Sequence, residues 1–351
     1  MTVASIEGPA DPAEVAARTG GFGDRLAERV AARESQLVLG LDPDPARLWP
    51  AALDPQPEAL DLQPAALDPQ PEALDPEALG PGNEAAGEVT IAERAARAVA
   101  AHCALVIAAT AEQCVAAKLQ VACFERLGAP GWAALAGTVT VARDHGLLVI
   151  ADAKRGDVDV TAAAYAQAFL GETATPFGTV PGLGADALTV NPLLGRDSLE
   201  PLVTAARAGG GGLFVLVRTS NPGAADVQER RLAGGEAVSD RLAELVDEIG
   251  SAGIGRSGLS DIGAVVGATA PGRLSALRER MPHTVFLLPG VGAQGGRVEE
   301  LAPAFAPGPA GGLVSASRGI VAAHERIGGD PAGAAAREAS RLRELAWRLT
   351  A

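Results

Sequence analysis

Eight short runs of almost unbroken apolar residues recur along this chain, and no other feature narrows its fold as much. They are LVLGLD (37–42), CVAAKLQ (114–120), LLVIADAK (147–154), ALTVNP (187–192), LFVLVRTS (213–220), AVVGAT (264–269), VFLLPG (285–290) and LVSASR (313–318). Each is rich in Val, Ile or Leu, which is how a parallel strand buried on both faces reads. Between them lie segments of helical character, among them PGWAALAGTVTVARDHG, DVTAAAYAQAFLG, SDRLAELVDEIG and PGRLSALRERMP. Further helices are expected at 24–34 and 331–349. Eight strands alternating with helices predict an α/β fold, a (β/α)8 TIM barrel. A doubly wound open sheet competes, but no GxGxxG follows the first strand.

Residues 50–90 stand outside this alternation. AALDPQPEALD occurs at 51–61 and again, identically, at 65–75. From Leu48 to Ala92 there are nine acidic residues and no basic one, so this stretch supplies most of the net charge of −14. Repeated prolines exclude a continuous helix or a central strand. The expectation is a disordered, Pro- and acid-rich insertion after strand one, set within a single barrel domain spanning 1–351.

The acidic balance argues against a general nucleic-acid or anionic-membrane binder. No apolar run is expected to approach the roughly 18 residues of a membrane helix. The N-terminal MTVASIEGPADPAEVAARTG lacks a basic-then-apolar pattern, so no signal peptide is read. Three cysteines without CxxC spacing (Cys103, Cys114, Cys123) fit a reduced, cytoplasmic protein with no structural zinc. The four histidines have no paired metal spacing.

In a TIM barrel the active site lies at the C-terminal strand ends. Those ends carry Asp42, Lys118, Asp152 with Lys154, Asn191, Ser220, Thr269, the Pro289–Gly290 turn and Arg318. Of 29 Lys plus Arg, only Lys118 and Lys154 are lysine, and both fall there. Lysine is compact and its proton is transferable, whereas arginine does not release one near neutral pH. Asp152 and Lys154 are two apart in a strand and so share a face. Asp157 follows three residues later. Alternating carboxylates and ammoniums keep one another ionised and positioned.

Asp-x-Lys-x-x-Asp within ADAKRGDVDVT resembles the signature of the orotidine 5′-phosphate decarboxylase family, in its type 2 branch. The resemblance extends through LGLDPDP, AAKLQVACFE, TVNPLLGRDSL, VRTSNPGA, PGVGAQGG and SASRGI. It covers nearly the whole chain outside 50–90 and the extreme termini. It implies decarboxylation of orotidine 5′-monophosphate to UMP, with no metal and no organic cofactor, by a homodimer with shared active sites. Asp42 would bond the ribose, and Lys118 a ribose hydroxyl and the neighbouring aspartate. Asp152 would press on the substrate carboxylate, and Lys154 would protonate C6. Asp157 and Thr161 would reach the partner's site, and Ser220 would contact the pyrimidine. Gln294, Arg318 and the backbone of Gly290 to Gly292 would clamp the phosphate. Asn191 completes the substrate-binding set. The rivals are a magnesium-dependent sugar-phosphate barrel and a catalytically silent phosphate-binding barrel.

Overall fold

The computed structural model describes residues 20–53 and 89–350. Its longer elements are α1 (Phe22–Arg33), β1 (Leu37–Leu41), α2 (Ile91–Thr110), β2 (Ala116–Gln120), α3 (Ala129–Asp144), β3 (Leu148–Arg155), α4 (Asp159–Phe169), β4 (Glu172–Thr175), β5 (Gly178–Pro181), β6 (Ala187–Val190), α5 (Arg196–Ala208), β7 (Gly212–Arg218), α6 (Val238–Gly250), β8 (Ile262–Val266), α7 (Pro271–Arg280), β9 (Phe286–Pro289), β10 (Gly312–Ala316) and α8 (Pro331–Trp347). Eight strands close into a parallel barrel in the order β1-β10-β9-β8-β7-β6-β3-β2. Each of the eight apolar runs supplies one of them. The remaining two, β4 and β5, form an antiparallel hairpin outside the barrel. ETAT and GTVP are short and largely exposed, so no buried-strand signal marks them.

Strand alternation sorts the apolar residues into two clusters. Val38, Ile150, Ala187, Phe214, Leu287 and Leu313 fill the barrel interior. Leu39, Val149, Leu188, Val215, Phe286 and Val314 belong to the larger cluster that includes the surrounding helices. α1 seals the N-terminal end: Phe22, Leu26 and Val30 join the interior cluster, and Phe22 meets Phe214 edge-on at 5.8 Å between centroids. Such aromatic pairs contribute about 0.5–1.5 kcal/mol beyond their burial. Gly40 keeps the first strand clear at the other end, since a Cβ there would lie 2.7 Å from Ser317 Cβ.

The expected 50–90 insertion is ordered at both margins. Pro50–Ala52 form a helical turn with Ala52 buried. Just before it, the Trp49 N–H donates to His102 Nδ1 at 3.0 Å and the indole Nε1 donates to Val321 O at 3.0 Å. Burial pushes the His102 imidazole down to about 4, so it is a neutral acceptor in the core. At the far margin Thr90 and Glu93 form a reciprocal capping box that starts α2, an arrangement that satisfies two otherwise orphan N–H groups. Residues 54–88 lie outside the described residues.

Ile91–Gln113 is the one described helix long and apolar enough to cross a membrane by length and composition. The run-by-run reading passes over it because Glu93, Arg94 and Arg97 interrupt its first turns. In the fold, Val99, Cys103, Val106 and Ile107 of this helix are fully buried in the core.

Candidate active site

A cavity of about 370 Å³ opens at the C-terminal ends of the barrel strands. Its most structured wall is the end of β3. Pairing with β6 shifts register between Ala151 and Arg155, and Lys154 has a φ of 48°. That conformation is uncommon for any residue with a Cβ, and bulges of this kind re-aim side chains beside active sites. The displaced Lys154 amide donates to Thr189 Oγ1 at 2.9 Å.

Asp152 is the centre of the cluster. Its carboxylate accepts from Lys118 Nζ at 2.5 Å, Lys154 Nζ at 2.5 Å and Thr189 Oγ1 at 2.9 Å. Its side chain is 8% exposed, against 44% for that of Lys154. Burial alone would raise this carboxyl; the charges and hydrogen bonds of Lys118 and Lys154 outweigh it and hold the group well below the usual carboxylate range. Asp42, just past β1, remains open to the cavity. Crowding by protein atoms pushes its carboxyl up, against the pull of Lys118 and Arg318.

Across the barrel ring from β3 stands β9. The loop after it, with the start of the segment following β10, forms the opposite wall: Gly290, Val291, Ala293, Gln294, Ser317 and Arg318. Gly290 has a φ of 99°, and a Cβ there would stand 3.0 Å from Ser220 Cβ, so glycine is required on both counts. The Arg318 side chain makes no hydrogen bond or salt bridge among the described residues. At the N-terminal ends of β9 and β10, away from the cavity, the buried Arg278 guanidinium donates to the carbonyls of Met281, Thr284, Ala304 and Gly311 at 2.7–2.9 Å and lies 3.7 Å from the Phe286 ring centroid. It ties the segments before and after β9 together.

Eight of the twelve residues that the family resemblance implies for the site line this one cavity: Asp42, Lys118, Asp152, Lys154, Ser220, Gly290, Gln294 and Arg318. Four do not. Asn191 Oδ1 accepts from Leu193 N at 3.0 Å and shapes its own turn. The Gly292 N–H donates to Gly296 O at 2.9 Å within the loop. Asp157 accepts from Val158 N at 2.8 Å ahead of α4, and Thr161 is exposed on that helix. The sequence reading missed Gln120, Thr189, Thr219, Asn221 and Ser317, which also line the cavity. Gln120 is two residues after Lys118, and Thr189 is the lone polar residue inside ALTV, so strand alternation carried a signal for both.

Arg155 turns away from the cavity. It pairs with Glu125, and its guanidinium lies 5.3 Å from the Tyr165 ring centroid and 5.5 Å from that of Phe169. The lone tyrosine thus braces the end of β3. Arg196 pairs with Glu248 at a helix start. Cys103 and Cys114 are free and buried, and burial pushes both thiols up to about 12, which suits packing rather than nucleophilic chemistry.

The sequence model of the orotidine 5′-phosphate decarboxylase / HUMPS family matches residues 36–331. The chain belongs to this family. Among its curated relatives, the orotidine 5′-phosphate decarboxylase of Deinococcus radiodurans is 47% identical over 216 residues, covering 61% of this chain and 74% of the relative. That of Haloarcula marismortui is 38% identical over 305 residues, covering 87% and 88%. Among solved structures, Leishmania donovani OMP decarboxylase superposes with a TM-score of 0.64 at 29% identity, over 93% of this chain and 99% of that one. As an orotidine 5′-phosphate decarboxylase family member, the chain is an enzyme, a carboxy-lyase.

Proposed function

We propose that this enzyme decarboxylates orotidine 5′-monophosphate to UMP in pyrimidine biosynthesis, with Lys154 as the proton donor to C6. One observation carries the proposal: a buried carboxylate, Asp152, gripped by two ammonium groups at the floor of the cavity. The bond between C6 and the carboxyl carbon breaks heterolytically. Carbon dioxide leaves and the electron pair stays on C6. Lys154 Nζ gives a proton to that carbon, and the resulting amine is reprotonated from water. A fixed ammonium beside C6 stabilises charge that develops only as the bond breaks, which is the kind of interaction that raises turnover. Asp152 beside the substrate carboxylate disfavours the ground state; two unit charges about 4 Å apart interact by about 4 kcal/mol at an effective dielectric of 20.

The phosphate sits at the opposite wall, on Arg318, Gln294 and the backbone around Gly290. Supporting this are the unpaired guanidinium and the glycine-built approach to the cavity. Three cations (Lys118, Lys154, Arg318) face two carboxylates (Asp42, Asp152), which favours an anionic substrate. The working unit is a homodimer in which Asp157 and Thr161 complete the partner's site. In favour of this are their position outside their own cavity and the exposed apolar Val158 and Val160 beside them.

The test is the ultraviolet absorbance change on mixing the purified protein with orotidine 5′-monophosphate and excess chelator. Conversion to UMP at an undiminished rate is expected. No conversion would overturn the substrate, and conversion abolished by the chelator would favour a magnesium-dependent sugar-phosphate reaction.

A further inference from the structure

The hydroxyl of Thr189 stands at the one point where the strained backbone and the ionic cluster meet. Thr189 is 1% exposed. Its Oγ1 accepts the Lys154 amide at 2.9 Å and donates to Asp152 Oδ1 at 2.9 Å. The same Oδ1 receives Lys154 Nζ at 2.5 Å. A closed ring results: Lys154 amide, Thr189 hydroxyl, Asp152 carboxylate, Lys154 ammonium. A hydroxyl has one proton and two lone pairs, and both functions are used here in fixed directions.

The need for this ring follows from the bulge. A regular parallel ladder would give the Lys154 amide a backbone acceptor on a neighbouring strand. The register shift between Ala151 and Arg155 interrupts that ladder, and a buried amide without a partner is strongly disfavoured. Thr189 supplies the acceptor from a side chain. It thereby supports the left-handed conformation of Lys154, φ 48°, a backbone state that persists only where the surroundings over-determine it. Its remaining proton orients the carboxylate between the two lysines.

We infer that Thr189 is a positioning residue for the decarboxylation, acting through Asp152 and the backbone of Lys154 rather than on the substrate. The inference rests on the reaction proposed above for its kinetic consequence, but not for its structural one. Thr189→Val keeps the shape and removes the hydroxyl, and Thr189→Ser keeps the hydroxyl. Losing a hydrogen bond to a charged group should lower kcat about 10- to 100-fold. KM should stay within about threefold, because the phosphate wall is untouched. Thr189→Ser should recover most of kcat. Thr189→Ala repeats the test should the valine variant not fold.

Hydrogen exchange at the Lys154 amide gives a readout independent of substrate. Protection should fall in the Val and Ala variants and return in Ser. Unchanged protection in both hydroxyl-free variants would overturn the inference whatever the substrate is. A kcat preserved in Thr189→Val, with the natural enzyme active, would overturn the positioning role alone. An inactive natural enzyme would instead count against the reaction, leaving the exchange result to decide on Thr189.

Discussion

Replacing Asp152 by asparagine removes the only negative charge between Lys118 and Lys154 while keeping nearly the same shape. The carboxylate accepts three hydrogen bonds, two of them from ammonium groups at 2.5 Å. Its side chain is 8% exposed and that of Lys118 is 12% exposed, so water is poorly placed to substitute. Breaking one side of a buried ion pair costs about 3–5 kcal/mol, a large part of the roughly 5–15 kcal/mol that holds a domain folded. The exposed Lys154 end moderates this, so about 2–4 kcal/mol is expected at pH 7. Urea unfolding should show a lower midpoint with an unchanged slope. Because the folded carboxyl lies below its ordinary 3.8, its contribution is present above that value and fades as pH falls through the depressed folded value. The gap between natural chain and variant should therefore be level from pH 5 to 8 and narrow below about 4. A variant as stable as the natural chain at pH 7, or a gap that widens in acid, would refute the ionic triad.

Four further outcomes are expected. Lys154→Arg should abolish turnover with circular dichroism and melting temperature unchanged, since charge is kept and the transferable proton is lost; near-normal kcat would remove Lys154 from the proton transfer. Arg318→Ala should raise KM about 10- to 100-fold with little change in melting temperature, because a guanidinium–phosphate pair is among the stronger charged hydrogen bonds; an unchanged KM would put the phosphate elsewhere. Mixing inactive Lys154→Ala and Asp157→Ala chains under subunit exchange should return about a quarter of natural activity, since half the dimers are mixed and each holds one intact site; no recovery despite exchange seen with tagged chains would mean that each subunit builds its site alone. Arg278→Met should lower unfolding free energy by about 3–5 kcal/mol by stranding buried carbonyls; a loss under about 1 kcal/mol would show that they find other partners.

The barrel was legible because all eight strands are buried on both faces and carry the same continuous apolar signal. The β4–β5 hairpin was not, since neither strand faces a core. The charged half of the site was legible for a chemical reason: only two lysines occur, and both stand at strand ends. Alternation marked the place of Thr189, but its role was hidden because a threonine inside ALTV reads as an ordinary β-branched strand former. Only the bulge at Lys154, a three-dimensional event, creates the demand that its hydroxyl meets. Asn191 and Gly292 show the reverse case. Both have the right type and place in sequence, yet the Asn191 Oδ1 and the Gly292 N–H are engaged in local turns.

The anchorage on either side of residues 54–88 bears on how this chain can change over generations. Trp49 is moored to His102 and Val321 at one post, and Thr90 to Glu93 at the other. Neither mooring uses a residue from the interval itself. A tandem duplication between them, such as the copied AALDPQPEALD, leaves both attachments as they were. New sequence entering between these two posts alters neither of them, so the chain can lengthen or shorten by whole repeat units without touching the residues that line the cavity.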